Sequence, residues 1–449
     1  MKKKIYDVLI IGAGVSGAAQ LFLLSKYTNI KSIGLIEKEE GGGQVNSKHT
    51  HNSQTLHEGD IETNYSFEKA KQVQFAASFT RNYVLSKKDS ELRLKGPKMV
   101  LGVGDKQVKF LDERFKKFKT IYPKMQKLDK KELIKLEPNV FKNRSKFEDV
   151  VGLYTQDGLT INYGLLAKTL INDAKKNSNV QEILFNTKVK NVKKIKNGYE
   201  IKTNKNVTMY AKVLVFATGA HSLLYAKRLG YGKHYSLLSV AGNFYYTPKY
   251  IKTKIYTIQN DKLPFAAVHG DPDITKPNMT RFGPTTNVVL MLERNKYKTV
   301  TEYFKSLGLS LKAIRSFVKI LSDKDFFWYA LKHNLTFRLP FVGNYYFLKE
   351  VRKIIPSLKY SELKIAKGNG GVRPQIVDTI NKEKPLQLGE ARLEGENVLF
   401  NITPSPGAST CIYNAYKDTS KIIRFLGKDF KFDENKFLKD LDIKKKLNK

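Results

Sequence analysis

The sequence has a single cysteine, no long apolar run and few acidic residues compared with its basic ones. Cys411 stands alone among 449 residues, which excludes an intramolecular disulfide and a cysteine-based metal site. No apolar stretch approaches the roughly 18 residues that a membrane-spanning helix needs. Met1–Lys4 leads directly into an apolar strand, without the pattern of a secretory leader. We therefore expect a protein of a reducing compartment, cytoplasmic and soluble or bound to a membrane surface, without a metal ion.

The charge balance is strongly basic. Eighty Lys and Arg residues against 42 Asp and Glu residues give a net charge of +38. Such a charge attracts anionic lipid, nucleic acid or acidic small molecules. The alternative is a general lysine bias, because most of the excess is scattered lysine. The clustered arginines and aromatics of a nucleic-acid-binding face are not found, so we expect no nucleic acid partner.

Residues 7–37 contain an apolar strand, a G-x-G-x-x-G turn, an Ala/Leu-rich helix and a second strand that ends in an acid. Gly12 permits the tight turn, Gly14 allows close approach of a pyrophosphate, and Gly17 allows the helix to pack against the sheet. The free N–H groups at the start of the helix face the phosphates. Glu37 is placed to accept hydrogen bonds from ribose hydroxyls. The segment therefore predicts a dinucleotide-binding fold.

Two later segments have features of the same fold. An apolar run at 212–216 closes on Ala217, Thr218 and Gly219, which predicts a buried parallel strand followed by a glycine turn. A further strand leads into the turn at 404–408, and we expect a helix to begin near Ser409, with that serine as a possible cap.

The remaining segments have a different character. Residues 81–149 are charged and predict Lys-rich helices, whereas residues 236–363 begin with aromatic strands and later turn helical. We expect an α/β protein in which a Rossmann-type domain is interrupted by an α+β substrate domain with a mixed or antiparallel sheet, and an active site at the seam. The expected division is 1–80, 150–235 and 364–430 for the nucleotide-binding domain, 81–149 and 236–363 for the substrate domain, and 431–449 for a basic tail.

The glycine motif with Glu37, the strand end at 217–219 and the late glycine turn resemble the FAD-dependent oxidoreductases of the D-amino-acid oxidase and glycerol-3-phosphate dehydrogenase superfamily. Four further segments resemble the malate:quinone oxidoreductases, and they are 52–65, 268–273, 280–285 and 371–375. The likeness extends from about residue 5 to about residue 425.

This resemblance implies FAD, oxidation of (S)-malate to oxaloacetate in the tricarboxylic acid cycle, electron transfer to a membrane quinone, and peripheral attachment to the inner face of the cytoplasmic membrane. Two alternatives stay open. One is a related enzyme that oxidises 2-hydroxyglutarate or an amino acid, and the other is a basic flavoprotein that acts on nucleic acid.

Oxidation of an alcohol by hydride transfer needs a base for the hydroxyl proton, and histidine titrates near neutrality. We expect His269 to be that base, because it follows an apolar run on a Gly/Pro/Asp turn of the substrate domain. Its alternative role is a turn histidine bonded to Asp271 or Asp273. His57 is the next candidate, although its loop would equally suit a contact with the flavin.

Malate is a dianion, so we expect planar arginine side chains to hold its carboxylates. Arg373 lies between Gly371 and Pro374, where a backbone bend can direct the guanidinium inward. The superfamily resemblance implies that an arginine in this Gly-Val-Arg-Pro position holds a substrate carboxylate. Arg281, before a Phe-Gly-Pro turn, is the second candidate, and surface or interdomain ion pairs are the alternative for both.

Further residues are expected to contact the cofactor. The glycines at 41–43 would let backbone amides approach it, and the turn at 405–409 would bring N–H groups near the flavin. The full expected set is Gly12, Gly14, Val15, Ser16, Gly17, Glu37, Lys38, Gly43, Gln44, Ser53, Gln54, Thr55, Val189, Thr218, Gly219, Gly407, Ala408 and Ser409. A stretch of aromatic and basic residues at 326–348 suits a membrane interface or quinone site, or a buried core.

Overall fold

The computed structural model describes residues 4–259, 267–308, 315, 318–319, 322, 339–381, 386–387, 391–402 and 406–444. The helices within these residues are α1 (Val15–Tyr27), α2 (Phe67–Leu85), α3 (Asp105–Phe118), α4 (Lys130–Leu136), α5 (Tyr163–Lys175), α6 (His221–Arg228), α7 (Thr299–Leu307), α8 (Pro340–Val351), α9 (Cys411–Leu426) and α10 (Glu434–Asp440). No helix within these ranges is both long enough and apolar enough to cross a bilayer.

The strands of the described residues form four sheets. In chain order they are β1 (Ile5–Ile11), β2 (Ile33–Ile36), β3 (Arg93–Lys95), β4 (Lys98–Val103), β5 (Gln126–Leu128), β6 (Val150–Thr155), β7 (Leu159–Ile161), β8 (Val180–Leu184), β9 (Val189–Ile195), β10 (Gly198–Thr203), β11 (Thr208–Phe216), β12 (Tyr235–Ala241), β13 (Tyr245–Pro248), β14 (Lys254–Thr257), β15 (His269–Pro272), β16 (Met279–Gly283), β17 (Asn287–Val288), β18 (Lys364–Ile365), β19 (Val372–Asp378), β20 (Leu386–Gln387), β21 (Arg392–Gly395) and β22 (Val398–Asn401).

The first sheet contains the predicted nucleotide-binding strands. Five strands run parallel in the order β22, β11, β1, β2 and β8. β21 pairs antiparallel with β22 at one edge, and the β9–β10 hairpin extends from β11. The central position of β1 and the parallel strands are those of a doubly wound fold, as the glycine motif predicts.

The register of the central strands brings three turns to one edge of this sheet. Ile11 at the end of β1 lies opposite Ile36 of β2 and Phe216 of β11. The chain therefore leaves all three strands side by side at their carboxyl ends. Open α/β sheets bind their ligands in this place.

Helix α1 is apolar around most of its circumference because it lies between other elements. It packs against α5 on one side and α9 on the other, and such burial suits a helix without a polar face. A Cβ on Gly17 would lie only 1.9 Å from the carbonyl oxygen of Gly12. Gly17 therefore has the packing role that the motif predicts.

The second sheet is mixed, as expected for the substrate domain. Its order is β18, β13, β16, β15, β14, β4, β6 and β5, and all neighbours are antiparallel except β14 and β4. Helix α8 packs its buried Phe347, Leu348 and Val351 into the core under this sheet. A third sheet, entirely antiparallel, has the order β17, β12, β19 and β20, and β3 pairs separately with β7.

The prediction that residues 81–149 are helical is wrong in part. The segment holds α3 and α4, but also β3, β4 and β5. β4 is a buried strand because its side chains alternate between two cores: Met99 and Leu101 join one, and Val100 joins the other. The dense lysines on both sides of this short strand conceal its apolar pattern.

The division into two interrupted domains stays a prediction. Sheet membership argues for different boundaries, since β6 pairs within the second sheet and β19 within the third, although both ranges were assigned to the nucleotide-binding domain.

Candidate active site

A long cavity opens at the carboxyl edge of the first sheet. It encloses about 1560 Å³ of space free of protein atoms, its solvent-facing mouth included. Its wall consists of the β1–α1 turn, the end of β2, the loop at 44–57, the start of β9, the strand end at 217–221, the start of β19 and the turn at 406–409. These segments meet because the parallel strands end together.

The β1–α1 turn is shaped to admit an anion. Gly12 has a φ of +103°, and a Cβ there would lie 2.5 Å from the carbonyl oxygen of Ala217, so the turn requires glycine. Gly14 precedes the helix and provides no side-chain cap. The Val15 N–H donates to Ser47 Oγ at 3.1 Å. The residues that begin α1 line the cavity, so the positive dipole end of the helix favours negatively charged groups there.

The end of β2 contributes an acidic wall. The Glu37 carboxylate accepts hydrogen bonds from the backbone N–H of Ala13 at 2.6 Å and of Glu39 at 2.9 Å. Each carboxylate oxygen has a second lone pair that can accept from another donor. Lys38 forms an ion pair with Glu293, and burial lowers the pKa of Lys38 to about 8.

The loop that carries His57 is anchored to the second sheet. Lys98 of β4 is 1% exposed, and its ammonium donates to Glu58 at 2.8 Å and lies 2.9 Å from Asp60. Although burial alone would lower the pKa of Lys98, these two carboxylates raise it above its ordinary value. This buried triad fixes the loop immediately after His57.

The His57 ring lines the long cavity and is held at both nitrogens. Its Nδ1 is hydrogen-bonded to the Glu62 carboxylate, and its Nε2 lies 3.1 Å from Ser53 Oγ. The backbone N–H of His57 donates to Ser409 Oγ at 2.9 Å. A histidine fixed in this way at a cavity wall can exchange a proton with a ligand.

Arg373 lies between the long cavity and a second, smaller one. The smaller cavity, with about 310 Å³ of free space, shares His51, Gly371 and Arg373 with the long one. Arg373 has no ion-pair partner in the part of the chain that the structure describes, and burial lowers the pKa of its guanidinium. An unpaired arginine in this position is suited to bind a carboxylate of a ligand.

A group of five charged or titratable residues is buried behind this wall, and we call it the buried cluster: Lys254, His269, Asp271, Asp273 and Arg281. Asp271 is its centre, with Lys254 Nζ at 3.4 Å, His269 Nε2 at 3.2 Å and Arg281 Nη2 at 3.4 Å. Arg281 also lies 3.5 Å from Asp273. All five residues are described, and none of them lines either cavity.

The pKa values of the buried cluster reflect these contacts. Burial lowers the pKa of His269, and it lowers the pKa of Lys254 to about 8. Burial alone would raise the pKa of Asp271, but its contacts with His269, Lys254 and Arg281 hold it well below its ordinary value. The two cationic side chains of the cluster and its two carboxylates therefore neutralise each other.

Comparison with known protein families gives a result that fits this geometry. The family model for malate:quinone oxidoreductases matches residues 4–422. A malate:quinone oxidoreductase of Helicobacter pylori is 38% identical over 444 residues, which cover 97% of this chain and 98% of the relative. The chain belongs to the malate:quinone oxidoreductase family.

Solved structures show the same fold at lower sequence identity. L-α-glycerophosphate oxidase from Mycoplasma pneumoniae with FAD bound superimposes with a TM-score of 0.63 at 18% identity, over 96% of this chain and 97% of that one. Glycine oxidase from Geobacillus kaustophilus gives a TM-score of 0.62 at 15% identity, over 99% of both chains. The predicted fold class is confirmed.

FAD is the cofactor of this enzyme, as predicted. The residues present fit it: the glycine turn and the positive dipole end of α1 suit the pyrophosphate, and Glu37 keeps lone pairs for ribose hydroxyls. In this member of the malate:quinone oxidoreductase family, the residues that line the long cavity would hold the cofactor.

Most of the predicted cofactor residues line the long cavity. They are Gly12, Gly14, Val15, Ser16, Glu37, Lys38, Gln44, Ser53, Thr55, Val189, Thr218, Gly219, Gly407, Ala408 and Ser409, and the predicted catalytic residues His57 and Arg373 lie there as well. Whether each of them contacts FAD or substrate stays a prediction.

Five predicted residues do not line the cavity, and three of these are cofactor candidates. Gly17 packs α1 on the sheet, and Gly43, with a φ of +75°, packs the loop so closely that a Cβ would lie 2.7 Å from the Gly164 carbonyl oxygen. Gln54 is fully buried and donates to the carbonyl oxygen of His49 at 3.1 Å.

The other two are His269 and Arg281, the first base candidate and the second clamp candidate, and both belong to the buried cluster. His269 Nε2 lies 3.2 Å from Asp271, the partner suggested for its alternative role, but this nitrogen forms no hydrogen bond within the described residues. Arg281 forms ion pairs with Asp271 and Asp273. All three residues are buried and belong to the predicted substrate domain, so these are neither the surface nor the interdomain ion pairs given as the alternative above.

The prediction that Ser409 caps a helix is wrong. Helix α9 begins at Cys411, and its preceding residue Thr410 forms no side-chain cap. Ser409 is instead bonded to the His57 backbone and to the Tyr163 hydroxyl, at 3.1 Å. Residues 403–405, part of the predicted flavin-facing turn, lie outside the described residues.

The sequence reasoning missed several residues of the cavity wall, notably Asn46, Ser47, His51, Tyr163 and His221. Asn46 to His51 continue the glycine loop at 41–43, which was a usable signal. Tyr163 and His221 carry no local signal, because they begin α5 and α6 and reach the cavity only when the sheet is assembled.

Proposed function

We propose that the protein oxidises (S)-malate to oxaloacetate and passes the electrons to a membrane quinone. The observation that carries the proposal is that Arg373, which has no ion-pair partner among the described residues, and a fixed histidine, His57, share the wall of one cavity. FAD, when bound, supplies the acceptor for the hydride that leaves C2 of malate. The name of the Helicobacter relative supports the same substrate and acceptor.

Arg373 is proposed to bind a malate carboxylate. Its guanidinium has two parallel N–H donors that match a carboxylate, and the partly dry wall strengthens such a pair. Arg281, the second sequence candidate, is occupied by Asp271 and Asp273 instead. The geometry therefore supports one direct arginine contact rather than the predicted two.

His57 is proposed to take the hydroxyl proton at Nε2. This nitrogen lies 3.1 Å from Ser53 Oγ on the cavity wall, while Nδ1 is bonded to Glu62. As the C2–H bond loses its hydrogen and electron pair, the O–H bond breaks and the proton moves to Nε2, which leaves the ketone. His269 does not line the cavity, so the geometry favours His57 over the first sequence candidate.

A substrate panel tests the proposal. The purified flavoprotein is mixed anaerobically with (S)-malate, 2-hydroxyglutarate or an amino acid, and loss of the flavin absorbance is followed before a soluble quinone is added. We expect malate to bleach the flavin much faster than the other compounds, and quinone to restore the colour. Faster bleaching by 2-hydroxyglutarate or an amino acid would show that this compound, and not malate, is the substrate.

We also propose that the protein binds the surface of an anionic membrane. Residues 326–338 of the predicted aromatic stretch lie outside the described residues, but the start of α8 belongs to its remainder. Leu339, Phe341, Val342 and Tyr345 are exposed there, with Phe341 at 80%. Lys349 lies beside the Tyr345 ring. Exposed aromatic and apolar side chains next to lysines suit the boundary between lipid headgroups and acyl chains.

Vesicle flotation tests the membrane proposal. The full chain is mixed with vesicles of phosphatidylcholine, with or without an anionic lipid, at low and high salt. We expect flotation with anionic vesicles that weakens with salt, because the screening length falls from about 10 Å at 0.1 M to about 3 Å at 1 M. A Phe341→Ser variant should float less well, and the exposed Phe147→Ser, which lies 98% exposed on another segment, is the matched control. Equal flotation of both variants would contradict the assignment to α8.

A further inference from the structure

The cavity histidine has a carboxylate partner that the sequence reasoning did not consider. Glu62 follows His57 by five residues, and its Oε1 is hydrogen-bonded to His57 Nδ1. The chain must turn back sharply between the two residues. Gly59 makes that turn, with a φ of +89° and with space so restricted that a Cβ would lie 2.8 Å from the Ala70 carbonyl oxygen. The local backbone is therefore built to bring this carboxylate to the ring.

The backbone around Glu62 is held by Arg114. The Glu62 side chain is 6% exposed, and the Arg114 guanidinium donates to the Glu62 carbonyl oxygen at 2.7 Å and to the Gly59 carbonyl oxygen at 3.4 Å. Arg114 also places a positive charge near the buried carboxylate. A buried carboxylate is costly unless it is paired and hydrogen-bonded. Oε1 of Glu62 has the histidine as its partner, whereas Oε2 has no hydrogen-bond partner within the described residues.

We propose that Glu62 is a positioning residue for proton transfer by His57, which extends the proposed function above. An acceptor at Nδ1 keeps the ring proton on that nitrogen, so the Nε2 lone pair faces Ser53 and the cavity. When the hydroxyl O–H bond of the substrate breaks and the N–H bond at Nε2 forms, the carboxylate stabilises the resulting imidazolium. Glu62 itself neither touches the substrate nor takes up the proton.

The buried cluster makes the assignment more specific. His269 also lies next to a carboxylate, with its Nε2 3.2 Å from Asp271. That carboxylate, however, is shared with Lys254 and Arg281, and the ring does not reach the cavity. Of these two pairs, the one of His57 and Glu62 combines a dedicated carboxylate with access to the cavity.

The experiment compares Glu62→Gln, Glu62→Asp and the control Glu58→Gln in the flavin-loaded full-length protein. Glu58 belongs to the triad that anchors the same loop, and its carboxylate contacts Lys98 and Arg81 rather than the histidine. Glu58→Gln therefore controls for a weakened loop anchor, because it leaves the acceptor at Nδ1 in place. We expect Glu62→Gln to lower kcat by roughly 10²-fold or more, with a much smaller change in KM. The ascending limb of kcat/KM should move to lower pH, because the carboxylate no longer stabilises the protonated ring. Glu62→Asp should retain the parental limb, and so should Glu58→Gln.

A second readout does not depend on turnover. In protein labelled with ¹⁵N-histidine, we expect one strongly downfield imidazole N–H signal that is lost in both His57→Gln and Glu62→Gln and kept in Glu58→Gln. Persistence of this signal in Glu62→Gln would overturn the proposal, and so would a pH profile that is the same in Glu62→Gln and the parent. Should Glu62→Gln fail to fold, Glu62→Asp takes its place. Loss of the downfield signal in Glu62→Asp, together with a pH profile identical to that of Glu58→Gln, would show that the bond does not affect proton transfer and would overturn the proposal.

Failure of the proposed function gives a different result. In that case malate does not bleach the flavin of the parent, or His57→Gln keeps parental turnover, while the imidazole signal still reports on the bond to Glu62.

Discussion

The cavity wall and the buried cluster use the same residue types in opposite ways. On the wall, Arg373 has no ion pair within the described ranges, and His57, with Glu62 and Ser53 beside its ring nitrogens, lines the cavity. In the cluster, Arg281 contacts two aspartates and is fully buried, and His269 stacks at 4.5 Å on Tyr256. The two regions are neighbours: Lys254 of the cluster donates at 2.9 Å to Thr55, which lines the cavity.

This difference distinguishes residues that act on a ligand from residues that stabilise the fold. A charged group whose partners all belong to its own chain is already neutralised, whereas a partly buried group without such a partner gains most from a ligand. We therefore expect substitutions on the wall to change binding or turnover, and substitutions in the cluster to change stability. The predictions below test this separation, starting with the largest effect.

The two histidines should respond very differently to the same substitution. His57→Ala is expected to lower kcat by roughly 10²–10⁴-fold, as for the loss of a general base, while malate still perturbs the flavin spectrum. His269→Ala should lower the melting temperature but keep turnover within about tenfold, because its ring packs against Tyr256 away from the cavity. Steady-state kinetics with malate and a soluble quinone measure both. The reverse result would restore His269 as the base and remove the distinction.

The two arginines provide a matched pair of conservative substitutions. Arg373→Lys keeps the charge but loses the planar fork, so KM for malate should rise roughly tenfold or more and kcat should fall with it. Arg281→Lys should leave KM within about threefold and lower the melting temperature instead, since it weakens contacts to two buried carboxylates. Kinetics and thermal melts on the same preparations distinguish these effects. A larger KM change for Arg281→Lys would show that the buried cluster binds substrate.

A substitution of Glu37 tests whether the cavity wall at the end of β2 holds the cofactor. Glu37→Lys should weaken FAD retention, because it removes the acceptor held by the Ala13 and Glu39 N–H groups and places a cation beside the ribose hydroxyls. The control is Glu40→Lys, an exposed position three residues later. The flavin-to-protein absorbance ratio after dialysis reports retention. Equal occupancy in the two variants would remove the ribose role of Glu37.

The smallest expected effect is the pH dependence of stability that comes from His269. Because burial holds the pKa of His269 below its ordinary value of 6.5, the unfolded chain takes up a proton that the folded protein disfavours. The contribution to stability is therefore present above pH 6.5 and is lost as the pH falls toward the lowered pKa.

Thermal melts at about pH 7.5 and about pH 5.5 measure this contribution. The melting temperature of His269→Gln should fall less between these two values than that of the parent, by on the order of 2 °C. Burial also lowers the pKa of His49, His51 and His221, but these residues are the same in both proteins. Identical decreases would mean that His269 is not held neutral by its surroundings.

Much of the nucleotide-binding region could be predicted because its signals are local. The spacing of Gly12, Gly14 and Gly17 reflects a turn whose sterics are set by adjacent backbone, and Glu37 follows at the length of one helix and one strand. The same reasoning failed for β4, where a short buried strand lies between lysines, and for Ser409, whose hydroxyl is used by a loop 352 residues away.

The catalytic candidates show the limit most directly. From the sequence, His269 on its Gly/Pro/Asp turn and His57 on its loop were both plausible bases, and Arg281 and Arg373 were both plausible clamps. The residues next to them in the sequence do not indicate which side chain lines the cavity. That depends on strands and loops that are far apart in the sequence and pair in the folded protein.

The sequence alone therefore determined the doubly wound sheet, its glycine turn and the family, because glycine sterics and apolar strand patterns act over a few residues. Only the tertiary structure decided that His57 and Arg373 lie on the cavity wall while His269 and Arg281 lie in the buried cluster. The physical reason is that charge neutralisation is a property of partners in space: Arg281 meets Asp271 across the β15–β16 pair, whereas Arg373, at the start of β19, faces the cavity.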